Sequence, residues 1–175
     1  MATWGVLRLP EGADAAAGAG EGAVAASVAQ QLDGLVAVAE GATVREIVAL
    51  LPDDVTRIVD LDVATATEPQ GGELLARLLA ADDGSHPAVV AARPQADALK
   101  RVHDGVVVEG LARDGLLVPQ RPMVLDRATL TGLPDEQGDA ASLLLAAGHA
   151  VRVVAHDGEA LVVRSDGTVR GEAAR

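Results

Sequence analysis

Residues 94–123 decide the architecture of this chain, and they read PQADALKRVHDGVVVEGLARDGLLVPQRPM. Two Asp-Gly pairs, Asp104-Gly105 and Asp114-Gly115, interrupt runs of Val and Leu residues. Such a pair between apolar runs is a strong local signal for a β-hairpin, because Gly accepts the positive φ of a tight turn. The stretch therefore predicts a β segment that folds back twice and forms an arm. Taken alone, the same pattern also fits a plain surface hairpin.

The rest of the chain alternates strand-like apolar runs with helix-like amphipathic runs. The predicted strands are 3–9, 35–39, 55–61, 88–92 and 150–154, the predicted helices are 23–32, 43–51, 72–81, 126–130 and 139–148, and a terminal hairpin turns at Ser165-Asp166-Gly167. Strands and helices that alternate through short connections are typical of a parallel sheet covered by helices. The sequence therefore predicts one α/β domain over residues 1–175. It has three layers, a mostly parallel sheet with helices on both faces, and residues 94–123 as an extended β-arm.

Composition limits the classes of partner. The chain has 26 acidic and 14 basic residues and a formal charge of −12, which repels DNA, RNA and anionic lipid. No apolar run approaches the roughly 18 residues that span a bilayer, and no secretory signal is visible at the N-terminus. Because the chain has no Cys, it forms no disulfide. We therefore expect a cytoplasmic protein that binds neither nucleic acid nor membrane.

A Gly-rich segment follows the first strand, with Gly18, Gly20 and Gly22 at alternate positions. Backbone N–H groups of such a loop can cradle phosphate, which makes these glycines candidates for binding a nucleotide cofactor. The segment also fits a flexible loop of low complexity. The charges favour the second interpretation, because no Lys or Arg occurs between Arg8 and Arg45.

Two carboxylates, Asp60 and Asp62, end the predicted strand 55–61. Open α/β sheets bind their ligands at the carboxyl ends of strands, and paired carboxylates suit a hard cation such as Mg²⁺. Asp62 is therefore a candidate metal ligand. Solvated loop acids would show the same pattern. The four His residues have no metal-ligand spacing.

The order of motifs in residues 94–123 resembles the arm region of the 2-C-methyl-D-erythritol 4-phosphate cytidylyltransferases of isoprenoid biosynthesis. The family's Pro-Val-Thr-Asp-Thr-Ile-Lys motif is similar to residues 94–100, which keep Pro94, Asp97 and Lys100. Arg113 falls at the family's Asp-Arg pair, and residues 120–122 resemble its Gln-Thr-Pro.

The resemblance extends over about residues 55–154. The family's His-Asp-Ala-Ala-Arg-Pro motif is similar to residues 61–65, which keep Asp62 and lose the Arg. Its Asp-Asp-Ala-Ser resembles residues 139–142, and its Val-Arg-Val-Val resembles residues 151–154.

The resemblance implies a nucleotidyltransferase-like variant of the Rossmann fold. It also implies transfer from CTP to a small phosphorylated alcohol, with Mg²⁺ held in part by Asp62 and with Asp97 and Arg113 as catalytic residues. In the family the arm of one subunit reaches its partner. We therefore expect a homodimer formed through residues 94–123, with a nucleotide or sugar phosphate as ligand.

Several of the family's basic residues have no counterpart here. The chain contains one lysine, Lys100, and Val162 falls near the lysine of the family's Ile-Lys-Ile run. Losing one electrostatic contact to a transition state costs about 2.7–4 kcal/mol. Arg45, Arg93 or Arg164 could compensate only if the fold brings them to the site.

Three hypotheses follow, and whether the chain is an enzyme is open among them. The first is a catalytically degenerate relative of the family that acts as a dimeric binding or regulatory module. The second is an active, Mg²⁺-dependent nucleotidyltransferase. The third is an unrelated α/β binding module.

Overall fold

The computed structural model describes residues 2–10, 26–67, 69–112, 116–134, 139–155, 160–166 and 169–171. The elements in chain order are β1 Ala2–Leu9, α1 Ala26–Ala29, β2 Gly34–Ala39, α2 Val44–Leu50, β3 Val55–Asp62, α3 Val63–Thr67, α4 Pro69–Ala81, β4 Ala88–Pro94, β5 Leu99–His103, β6 Val106–Leu111, β7 Leu117–Asp126, α5 Arg127–Thr131, α6 Ala140–Ala146, β8 Val151–Ala155, β9 Ala160–Val163 and β10 Val169–Gly171. Gly18, Gly20, Gly22, Arg113 and the second Asp-Gly turn lie outside the described residues.

Eight strands form the main sheet in the order β10-β9-β8-β4-β7-β3-β1-β2. β1 pairs in parallel with β2 and β3, and β4 pairs in parallel with β8. β7 is antiparallel to both of its neighbours, β3 and β4, and β9 is antiparallel to β8 and β10. Six of the eight strands therefore run in one direction, which confirms the predicted mostly parallel sheet.

Side chains of successive strand residues enter opposite faces of this sheet. Val6, Ile58 and Val90 belong to one apolar cluster, which also contains residues of α2, α5 and α6. Their neighbours Leu7, Val59 and Val89 belong to a second cluster with residues of α1, α3 and α4. A strand that is buried on both faces reads as a continuous apolar run, as these do. The three-layer prediction is confirmed.

The helix starts follow local rules. Thr43 and Glu46 form the expected capping box at α2, with the Thr43 backbone N–H donating to Glu46 Oε2 at 2.8 Å. Asp126 and Asp139 accept backbone N–H groups at the first turns of α5 and α6. α3 was not predicted, and it directly follows the carboxyl end of β3.

The first Asp-Gly turn forms the expected hairpin. Asp104 and Gly105 have φ values of 50° and 77°, as a type I′ turn requires, and they join β5 to β6. These two strands form a sheet of their own. The structure places residues 117–123 elsewhere, in β7 between β3 and β4. The segment outside the main sheet is therefore shorter than residues 94–123, because β7 pairs with the core strands rather than with the hairpin.

Two arginines near the amino ends of β3 and β8 form ion pairs and hydrogen bonds with the end of α4 and the residues that follow it. Arg57 contacts Asp82 at 2.7 Å and Asp126 at 3.0 Å, and the side chain of Arg57 is buried. Arg152 donates to the last carbonyl of α4, on Ala81, and contacts Asp83 at 3.1 Å.

Hydrogen bonds from Ser85, and then the Arg152 guanidinium, hold the pKa of Asp83 well below its ordinary value. A depressed carboxyl pKa stabilises the fold at neutral pH, and this contribution is lost as the pH falls below the ordinary value.

Gly71 allows α4 to pack against α3, and we expect Gly71→Ala to destabilise the fold by about 1–3 kcal/mol. A Cβ atom at this position would lie 1.8 Å from the Thr65 carbonyl oxygen, which belongs to backbone and cannot rotate away. Helix propensity alone favours Ala over Gly by roughly 1 kcal/mol, so the two effects predict opposite signs. Urea unfolding measures the difference.

Gly41→Ala is the matched control, because a Cβ there meets no heavy atom within 4 Å. We expect its free energy of unfolding to change by no more than about 0.5 kcal/mol. Stabilisation by Gly71→Ala would show that α3 and α4 do not pack as described.

Candidate functional site

A cleft of about 860 Å³ opens at the carboxyl ends of β1, β2 and β3. Its described lining consists of Arg8, Pro10, Ala39, Glu40, Gly41, Asp62, Val63 and Ala64. Open α/β sheets hold their ligands at this edge, because successive loops diverge there and leave space above the strand ends. The cleft is therefore the candidate functional site.

Arg8, near the end of β1, forms the floor of the cleft. Its Nε donates to Asp60 Oδ1 at 2.7 Å, and both side chains are buried, with exposed fractions of 7% and 4%. Its Nη1 donates to the carbonyl oxygens of Glu40 at 2.8 Å and Ala42 at 3.1 Å. Arg8 therefore ties together β1, β3 and the turn that follows β2.

Arg121 reaches the same cluster from β7. β7 runs antiparallel to β3 and pairs Met123 with Asp60, so Arg121, two residues earlier in β7, lies toward the carboxyl end of β3. Arg121 Nε lies 3.3 Å from Asp60 Oδ1, and its Nη1 lies 3.0 Å from Glu40 Oε1. Asp60 Oδ1 is thus shared between two guanidinium groups.

The charges of this cluster cancel. Arg8 and Arg121 meet Asp60 and Glu40, and Asp62 adds one further negative charge to the described part of the cleft. A buried ion pair is stable only when each charge keeps its partners, because the desolvation cost is several kcal/mol per ion. Both guanidinium groups therefore already contact carboxylates in the absence of a ligand.

Asp62, the candidate metal ligand, lines the cleft and also caps a helix. Its Oδ1 accepts the Thr65 backbone N–H at 2.7 Å, at the start of α3. The described residues contain no group of three or more His, Asp or Glu side chains that could hold a resident metal ion. Mg²⁺ is often held by one or two carboxylates together with substrate phosphates and waters. Asp62 therefore fits an ion that arrives with a nucleotide, through its second carboxylate oxygen.

None of the other described residues singled out from the sequence lines the cleft. Asp97 is exposed in a bend between β4 and β5, and Lys100 is exposed on β5. Neither is among the residues that line the cleft, and the same holds for Arg45, Arg93 and Arg164. Arg164 follows β9, whose end pairs with the beginning of β8 and so lies at the opposite edge of the sheet.

Sequence reasoning missed the contributions of Arg8, Glu40 and Arg121. One signal was present, since Arg8 is a charged residue inside an otherwise apolar strand, and a buried charge requires a partner. The sequence does not show which carboxylate that partner is. Arg121 was included only in a family motif, at the position of its threonine.

The model of the 2-C-methyl-D-erythritol 4-phosphate cytidylyltransferase (IspD) family matches residues 42–168, well over half of the chain. The chain belongs to this family. The match contains Asp60, Asp62 and Arg121 and begins after Arg8 and Glu40. Membership excludes the hypothesis of an unrelated α/β module.

Solved structures support the fold. The chain is similar to 4-diphosphocytidyl-2C-methyl-D-erythritol synthase from Anaerococcus prevotii, with 15% identity, a TM-score of 0.59 and 88% of each chain covered. It is also similar to 2-C-methyl-D-erythritol 4-phosphate cytidylyltransferase from Thermus thermophilus, with 25% identity, a TM-score of 0.55, and 86% of this chain and 70% of that chain covered.

A third similar structure is the bifunctional IspDF from Campylobacter jejuni, with 13% identity and a TM-score of 0.60. The similarity covers 89% of this chain and 50% of that chain. None of the curated proteins matches this chain significantly in sequence. Among the described residues, none of the helices combines the length and apolar composition needed to cross a bilayer.

We expect Asp60→Asn to lower the free energy of unfolding by about 3–5 kcal/mol, because it leaves two guanidinium groups without their shared carboxylate. Glu109→Gln is the matched control, since Glu109 pairs with Arg101 at 3.2 Å in an exposed hairpin. We expect that change to cost less than about 1 kcal/mol. Chemical denaturation of the two variants gives the comparison, and equal losses would contradict the described cluster.

Proposed function

We propose that this chain is a family member with little or no nucleotidyltransferase activity, which acts as a homodimeric binding module for a nucleotide or sugar phosphate. One observation carries the proposal. Arg8 is the cation in the described lining of the cleft, Arg121 contacts the lining residue Glu40, and both guanidinium groups are already paired with Asp60 or Glu40.

Nucleotidyl transfer builds negative charge on the transferring phosphate and on the leaving pyrophosphate. Catalysis requires preorganised cations directed at those oxygens. To contact a phosphate, Arg8 would have to leave Asp60 and two backbone carbonyls in a buried position. That loss would offset much of the gain, so Arg8 is better suited to holding the cleft together than to stabilising a transition state.

The alternative is an active, Mg²⁺-dependent transferase, and the position of Asp62 in the cleft favours it. When bound, Mg²⁺ would neutralise charge on the nucleotide phosphates, and Asp62 is the described residue that would hold it. Asp97 and Arg113 remain candidates for catalytic roles, and Gly18, Gly20 and Gly22 remain candidates for phosphate binding. Under this alternative Arg121 must exchange Glu40 for a phosphate oxygen.

The hairpin of β5 and β6 supports the dimer. Val102, Val106, Val107 and Val108 are each more than half exposed, and Val102 lies opposite Val107 in the ladder. An isolated two-stranded hairpin is marginally stable, and exposed apolar side chains on both of its faces favour an interaction site. A second copy of this chain supplies the matching surface, as the arm exchange implied by the family resemblance suggests.

We expect pyrophosphate release from CTP and 2-C-methyl-D-erythritol 4-phosphate, with Mg²⁺ present, to be at least about 10³-fold slower than for the Thermus thermophilus relative. Asp62→Asn provides the control, because any release that survives this change does not come from the cleft. A rate within tenfold of the relative, abolished by Asp62→Asn, would establish the alternative.

We expect the wild-type protein to be a dimer at micromolar concentration and Val107→Asp to make it a monomer, because the change buries a charge in the apolar interface. Leu50→Asp is the matched control, since Leu50 is similarly exposed but lies on α2. Sedimentation or light scattering gives the masses. A monomeric wild-type protein, or equal dissociation by both variants, would contradict the dimer.

A further inference from the structure

The turn that carries Glu40 is held rigidly from both sides. The Glu40 backbone N–H donates to the Leu9 carbonyl at 2.9 Å, and Arg8 Nη1 donates to the Glu40 carbonyl at 2.8 Å. Arg8 also binds the Ala42 carbonyl, two residues further on. The backbone of Glu40 is therefore fixed over the end of β1, and its side chain starts from a defined position at the rim of the cleft.

The Glu40 side chain occupies the accessible end of Arg121. Its Oε1 lies 3.0 Å from Arg121 Nη1, and its exposed fraction is 51%, against 20% for Arg121. The other carboxylate on Arg121 belongs to Asp60, which is 4% exposed and is also bound by Arg8. Of these two partners, Glu40 is therefore the one that a ligand could displace without disrupting the buried cluster.

A guanidinium group binds carboxylate and phosphate oxygens in the same way, so a carboxylate seated on it competes directly with a phosphate. Glu40 and Asp62 line the same cleft, and both repel an anion. This repulsion increases with the charge of the ligand, and a nucleoside triphosphate carries roughly twice the charge of a monophosphate. The arrangement therefore penalises polyphosphates most.

We propose that Glu40 determines the ligand specificity of this cleft, by occupying Arg121 and so selecting singly phosphorylated ligands over polyphosphates. This inference rests on the proposed function in one respect, because it takes the cleft as the ligand site. It does not depend on whether the chain is catalytic or dimeric, since it concerns binding alone.

Glu40→Gln keeps the size of the side chain, removes its charge and makes Arg121 Nη1 available to an anion, while Arg121 Nε stays beside Asp60. Calorimetric titration with inorganic pyrophosphate, CTP and CMP, at low salt and without Mg²⁺, measures the effect. We expect affinity for pyrophosphate and CTP to rise about tenfold or more, and affinity for CMP to rise less. Binding by the variant where the wild type shows none counts as the same result.

Glu73→Gln is the matched control. Glu73 is exposed on α4, and the substitution changes the net charge of the protein by the same amount. We expect it to leave all three affinities unchanged. Equal gains in the two variants, or no binding of any probe by Glu40→Gln at millimolar concentration, would overturn the proposal.

The double variant Glu40→Gln/Arg121→Gln tests whether the gain in affinity comes from direct binding by Arg121 or only from the loss of a negative charge in the cleft. We expect the gain for pyrophosphate to disappear, and thermal unfolding shows whether the variant is folded. Glu40→Gln/Arg121→Lys is the second test should the first variant not fold. It keeps the positive charge but loses the planar guanidinium that binds two oxygens at once, so we expect part of the gain in affinity to remain. A full gain in a folded variant that lacks Arg121 would contradict the assignment. Slow or fast turnover in the family reaction would leave these binding results unaltered.

Discussion

The rest of the site depends on one carboxylate oxygen, Asp60 Oδ1, which is shared between Arg8 and Arg121. These three residues come from β1, β3 and β7, and Arg8 adds the turn after β2 through two backbone carbonyls. Because each buried charge requires its partners, the four segments are fixed relative to one another. The cluster therefore sets the shape of the cleft floor and the position of the acidic residues at its rim.

The proposed function rests on the same interaction. Under that proposal, a guanidinium that neutralises a buried carboxylate is less able to neutralise a developing phosphate charge. Arg57 and Arg152 have comparable structural roles at the opposite edge of the sheet, where they bind Asp82 and Asp83. With one lysine in the whole sequence, this chain uses arginines near the sheet as structural anchors.

Local rules predicted the elements well where the signal lies within a few residues. The capping box of Thr43 and the Asp104-Gly105 turn depend on side chains and φ angles within one short segment, and both occur as expected. Local signals do not show that residues 117–123 lie in the main sheet, because such residues look the same in a surface hairpin and in an internal strand. Pairing of β7 with β3 and β4 is decided by contacts with distant residues.

The sequence by itself determined the fold class, the acidic balance and the presence of Asp62 at a strand end, since each follows from composition or periodicity, and its motifs carried the resemblance to the family. Only the tertiary structure decided which charges neutralise one another. Arg8, Glu40, Asp60 and Arg121 are separated by 20 to 61 positions between neighbours in sequence, and only the strand order brings them within hydrogen-bonding distance. Electrostatic partnership depends on distance in space, and no spacing rule along the chain encodes it.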